Sequence, residues 1–133
     1  MASLEFIKPN HRRILIAGVP RAGKTTISEQ IAAKQNLPLY HTDDLIESYD
    51  WAEQSEAVAA LILSYDEYII EGITVPRGIR KILPAPIPSD LIIWLPTPIL
   101  TLTPGQTQMT KATHTIFNEV SPFIDFKALS IQL

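Results

Sequence analysis

Cysteine is absent from the 133-residue sequence. Its absence excludes disulfides, thiolate metal sites and cysteine nucleophiles, and it is compatible with a reducing cytoplasm, the expected location. No long run of like charge occurs either. The net charge is −3, so no broad nucleic-acid-binding face is expected. The short cluster His11-Arg12-Arg13 reads as a solvated strand entry. No apolar run approaches the roughly 20 residues of a membrane span. No basic segment leads into a long apolar one at the N-terminus, so neither a membrane anchor nor a signal peptide is expected. Internal repeats and low-complexity tracts are lacking. His11, His41 and His114 have no metal-ligand spacing and read as structural or surface residues. No Ser-His-Asp or similar nucleophilic set can be assembled.

What is present is a globular balance, 46% hydrophobic and 19% charged, in a length that fits one domain over 1–133. The chain is organised around Gly18-Val19-Pro20-Arg21-Ala22-Gly23-Lys24-Thr25, which fits the phosphate-binding pattern G-x-x-x-x-G-K-[S/T]. The context is the required one: the nearly all-apolar run Arg13–Val19 reads as a buried strand leading into the loop, and Thr26–Lys34 after it as a helix. Glycines let the backbone curl so that N–H groups point at a phosphate chain, and the helix N-terminus adds partial positive charge. Lys24 then reaches the β- and γ-phosphates, and the Thr25 hydroxyl holds Mg²⁺. Residues 18–26 are the expected triphosphate-binding set, with Lys24 and Arg21 as catalytic cations. Arg21 either lies over the triphosphate or points outward.

Further strands are expected at Leu37–His41, Tyr68–Glu71 and Asp90–Leu95, and the period-two tail Ala128–Leu133 reads as a fifth, edge strand. Between them, Thr42-Asp43-Asp44 opens a helical piece over 45–49. Asp50 and Glu53 form a capping box for a helix to Ser64 that buries Val58, Leu61, Ile62 and Tyr65. Pro76 starts a short helix, Pro84–Pro88 is a stiff extended connector, and Thr103 with Gln106 caps a helix whose apolar face includes Met109, Thr113, Ile116, Phe117 and Val120. Strands alternating with helices imply a three-layer α/β sandwich around a mostly parallel sheet.

Ligands of open α/β sheets bind beyond the carboxyl ends of the strands. Asp43-Asp44 follows the second strand and so falls on the edge of the phosphate loop. Asp44-Leu45-Ile46-Glu47 fits a capping box, giving Asp44 a structural role as an alternative to acceptor binding, whereas Asp43 has none and is the better candidate for a catalytic or acceptor-binding role. Glu71 ends the third strand on the same edge. It either binds Mg²⁺ or the acceptor, or faces solvent before Gly72. Arg77 and Arg80, three apart on one short helix, either clamp a substrate phosphate or form a solvated face. Asp90 starts its strand, on the opposite edge, and reads as a turn residue.

The loop, the Thr42-Asp43-Asp44-Leu45 segment and Ile69-Ile70-Glu71-Gly72 together resemble the small P-loop kinases, which include adenylate, shikimate and uridine kinases and the kinase domain of polynucleotide kinases. The resemblance implies a five-stranded parallel sheet in the order 2-3-1-4-5. By similarity to polynucleotide kinases it implies that Asp43 is the base, and by similarity to uridine kinases that Glu71 has a metal or substrate role. These kinases usually close a lid bearing arginines over the triphosphate after strand four. Between Pro96 and Val120 this chain has no arginine, only Lys111, so Arg21, Lys111 or a partner subunit must serve instead. The short segment between strands two and three argues for a small acceptor.

The leading expectation is an ATP- and Mg²⁺-dependent kinase acting on a nucleoside, nucleotide or similar small hydroxyl compound. Two others stand beside it: a nucleotide-binding switch or slow ATPase, and a kinase fold acting as a binding module. No guanine-specifying N-K-x-D segment is present, which argues against a Ras-type GTPase.

Overall fold

The computed structural model describes residues 4–44 and 50–133. Three apolar segments make the middle of a sheet: β1 (Arg13–Gly18), β3 (Tyr68–Gly72) and β4 (Leu91–Leu95). They are buried almost throughout, as strands covered on both faces must be. β2 (Leu39–His41) and β5 (Lys127–Ser130) lie at the edges. The order is β2-β3-β1-β4-β5, and every pairing is parallel. Helices α1 (Lys24–Gln35), α2 (Trp51–Ser64), α3 (Val75–Ile82) and α4 (Pro104–Val120) connect the strands, and a 3₁₀ turn (Ser121–Phe123) precedes β5.

Isoleucines dominate the core. Ile14, Ile16, Ile69, Ile70, Ile92 and Ile93 are fully buried, each contributing about 1.5–3 kcal/mol relative to exposure. Trp94 stacks on Phe117 with ring centroids 4.1 Å apart, fixing α4 against β4.

Local signals set the helix ends. Asn36, left-handed at φ 53°, stops α1 before Pro38. The Asp50 carboxylate accepts from Glu53 N–H at the start of α2, and Thr103 and Gln106 form the expected reciprocal box at α4. Pro76 is the second residue of α3, not the first, because Val75 already has helical geometry.

Other boundaries differ from the sequence reading. Val19 lies beyond β1, with its N–H given to the Leu95 carbonyl. Tyr65 is exposed, not buried; it follows α2 in extended conformation and stacks on Tyr40 of β2 instead of entering the core. The Pro84–Pro88 connector begins as a turn, closed by Ala85 N–H on the Ile82 carbonyl, and is extended only beyond it. β5 covers the first part of the alternating tail and starts one residue earlier, at Lys127. The helical piece expected over 45–49 lies outside the described residues.

The amino ends of the strands are tied together by satisfied polar groups. Asp90 accepts from the backbone N–H groups of both Arg12 and Arg13. The Tyr68 hydroxyl donates to the Pro88 carbonyl at 2.6 Å, and Arg12 donates to the Gln35 carbonyl and to Glu67. This gives Asp90 the structural role expected of it.

Candidate functional site

The carboxyl ends of the strands open on a cleft of about 410 Å³ of the size that small-molecule sites occupy. Its floor is the loop from β1 into α1, and Pro20 through Thr26 line it. Two left-handed residues shape the loop, Arg21 at φ 60° and Gly23 at φ 94°. Gly18 lies beneath it, where an added Cβ would come within 3.0 Å of the Lys24 stem. Val19 is fully buried and anchors the loop to Leu95. The Arg21 carbonyl accepts from Ile99 N–H at 2.9 Å, tying the loop to the segment after β4. The Arg21 side chain is exposed at the rim.

Lys24 is half-buried, and its ammonium donates to the Val19 carbonyl at 2.7 Å. Burial lowers its pKa, against the opposing fields of Glu71 and Asp43. An ammonium carries three donors, so the group retains capacity for an anion. Thr25 and Thr26 open α1 with exposed side chains. A loop of backbone N–H groups, a partly desolvated lysine and an exposed threonine at the helix start together fit a triphosphate with its metal.

Two carboxylates face this loop. Glu71, at the end of β3, is 2% exposed. Burial raises its pKa, while His41 and Lys24 pull the other way. The His41 Nδ1 lies 2.6 Å from Glu71 Oε1, and an ionised Glu71 accepts that bond from Nδ1–H. Asp43 follows β2 and is exposed toward the cleft it lines. The β2 exit is held in place by Gly72, where a Cβ would fall 1.6 Å from Thr42 Oγ1.

The structure therefore brings together residues 20–26, Asp43 and Glu71. It leaves the remaining candidates outside the lining. Asp44 is exposed beside Asp43. Arg77 lies 4.3 Å over the Trp51 ring, its Nη1 is buried with no hydrogen-bond partner among the described residues, and burial lowers its pKa. Arg80 pairs with Glu119 of α4 at 3.2 Å on the surface. Lys111 is exposed on α4. His11 and His114 are structural: His11 Nδ1 accepts from Lys8 N–H, and His114 Nε2 bonds the Pro96 carbonyl at 2.8 Å.

Sequence reading missed the contact of His41 with Glu71 and the apolar lining residues Ile73, Ile99 and Leu100. The His41 contact depends on strand register, for which no single-sequence signal exists. In the sequence Ile99 and Leu100 stand out only as large apolar residues outside the strands and helices, and both are exposed.

Among the described residues no helix is long and apolar enough to cross a membrane, and no group of three or more His, Asp or Glu is placed to hold a metal without a ligand's help. No family model and no curated protein sequence matches the chain. Solved structures do. Shikimate kinase from Acinetobacter baumannii, in complex with shikimate, aligns with a TM-score of 0.60 at 12% identity, over 94% of this chain and 85% of its own. Shikimate kinase from Aquifex aeolicus gives 0.56 at 11%, covering 90% and 86%, and that from Bacteroides thetaiotaomicron 0.51 at 18%, covering 87% and 85%. With the strand order and the loop after β1, these likenesses establish that the chain has the P-loop kinase fold.

Proposed function

We propose that the protein is an ATP- and Mg²⁺-dependent phosphotransferase acting on a small hydroxyl or phosphate acceptor of the nucleoside or nucleotide class. The observation that carries this reading is the convergence of Lys24, Asp43 and Glu71 on the cleft floored by the phosphate loop. A nucleotide-binding loop alone would need no exposed carboxylate facing it; transfer to an acceptor needs a group to orient and deprotonate a hydroxyl.

Each residue's task follows from its surroundings. The loop N–H groups and Lys24 hold the phosphate chain and stabilise the charge that develops during transfer. Asp43, exposed at the cleft it lines, takes the acceptor's hydroxyl proton. Thr25 and Glu71, which both line the cleft, are the set that would hold Mg²⁺. When bound, the metal neutralises charge on the β- and γ-oxygens. Arg21, at the rim, supplies the one guanidinium among the lining residues. Ile73, Ile99 and Leu100 exclude water from one wall. Arg77 and Arg80 contribute to acceptor binding only if the acceptor extends past that wall toward α3.

A second reading, a slow ATPase or nucleotide switch, is favoured by one feature: the segment 96–120 carries no arginine, and a transition-state arginine is worth about 10³–10⁵ in rate. Incubation with γ-labelled ATP and a panel of nucleosides, nucleotides and small hydroxy acids separates the two. Label on an acceptor, lost in Asp43→Asn, supports the phosphotransferase. Acceptor-independent hydrolysis that Asp43→Asn leaves unchanged overturns it in favour of the switch. Binding without turnover assigns the fold a binding role.

A further inference from the structure

His41 ends β2 and forms the last rung of its three-residue pairing with β3, directly opposite Glu71. Register partners on neighbouring strands project from the same face, and here the two side chains meet at 2.6 Å. The contact is held from the backbone side, because the seating of Thr42 on Gly72 fixes the exit of β2 on that of β3. Glu71 is the buried partner, while the His41 side chain stays 30% exposed. One carboxylate oxygen is engaged by the ring. Among the described residues no hydrogen bond engages the other, and Glu71 lines the cleft beside Lys24 and Asp43. A free glutamate there has its flexible carboxylate drawn toward Lys24. A glutamate gripped at one oxygen does not swing.

We propose that His41 is a positioning residue: its ring grips one oxygen of Glu71 so that the other faces the divalent cation that accompanies a nucleoside triphosphate in the cleft. This rests on reading the cleft as an ATP–Mg²⁺ site. The role differs from holding the metal directly, and also from a packing role, since the histidine touches the cleft only through Glu71.

The test is ATP affinity by titration calorimetry, with and without Mg²⁺, because the ratio of the two isolates the metal's contribution. His41→Leu is expected to reduce the Mg²⁺-dependent gain by about tenfold, the lower range for losing a partner that orients a metal-binding group. His41→Asn, whose amide N–H can replace Nδ1–H, restores most of it. In a Glu71→Gln background His41→Leu has no further effect. An unchanged Mg²⁺ gain in His41→Leu overturns the proposal, as does an equal loss in the Glu71→Gln background. If His41→Leu does not fold, failure of His41→Asn to differ from a His41→Gln protein, which lacks a donor at the Nδ1 position, overturns it. A parent protein that binds no ATP, or a Lys24→Ala protein that binds it equally well, overturns the nucleotide reading itself. Normal ATP binding with a His41-independent metal gain removes only the role of His41.

Discussion

The two ends of the sheet are built to opposite rules. At the amino end Asp90 takes two backbone N–H groups, and the Tyr68 hydroxyl lies between Pro88 and Ser89. At the carboxyl end, among the described residues, the buried hydroxyls of Thr42 and Thr74 and the Nη1 of Arg77 have no hydrogen-bond partner, and burial lowers the pKa of Lys24 and raises that of Glu71. The same strands join both ends, so composition does not explain the difference. A satisfied end holds the fold; an end whose cleft holds a lysine and a glutamate perturbed by burial has capacity for a ligand.

The largest expected effect breaks the geometry of the open end. Gly72→Ala places a Cβ on Thr42 at φ 154°, and overpacking plus backbone strain should cost about 3 kcal/mol or more, read as a fall in Tm. Asp90→Ala attacks the closed end, leaving two backbone N–H groups without their ionised acceptor. A loss of about 1.5–3 kcal/mol in denaturant unfolding is expected, with ATP affinity unchanged in whatever fraction is folded. Lys24→Ala should do the reverse. It removes charge-assisted bonds to phosphate worth about 1.5–3 kcal/mol of binding, measured as ATP affinity, with little change in Tm.

Smaller effects sharpen the contrast. Burial raises the Glu71 pKa, so the folded protein holds that proton more tightly than the unfolded chain does. The resulting stability is present in acid and is lost as pH rises through the raised value. Glu71→Gln, which cannot ionise, is therefore expected to gain Tm relative to the parent as the buffer moves from acidic to neutral. A site residue whose removal stabilises the protein marks the open end; a parallel loss at all pH values would contradict the burial argument. Least of all, Arg80→Ala should change stability by under about 1 kcal/mol, because its pair with Glu119 is exposed.

Much of this was legible in the sequence, for local reasons. Continuous apolar runs marked β1, β3 and β4, and the loop motif announced both its own turn and the helix after it. Thr103 with Gln106, and Asp50 with Glu53, fixed helix starts through contacts three residues apart. The placement of Asp43 and Glu71 beside the loop followed from which end of each strand they occupy. What stayed hidden depends on distant partners. Tyr65 follows the helical period of α2 yet turns out to Tyr40, and no sequence pattern reports that edge. His41 gains its meaning only from the β2–β3 register. Arg77 and Arg80 share a helix and a spacing, but Trp51 and Glu119, both far away in sequence, hold them apart from the cleft.

The tryptophans are divided in the same way. Trp94 is buried and stacked on Phe117 in the core, while Trp51 is 42% exposed beneath Arg77 at the carboxyl end. The sequence has two tryptophans, so the protein carries one fluorophore for each environment, a blue-emitting one in the interior and a red-shifted one at the surface. Trp51→Phe leaves an emission that reports unfolding of the core alone. Trp94→Phe leaves one that reads events near Arg77 without any added label.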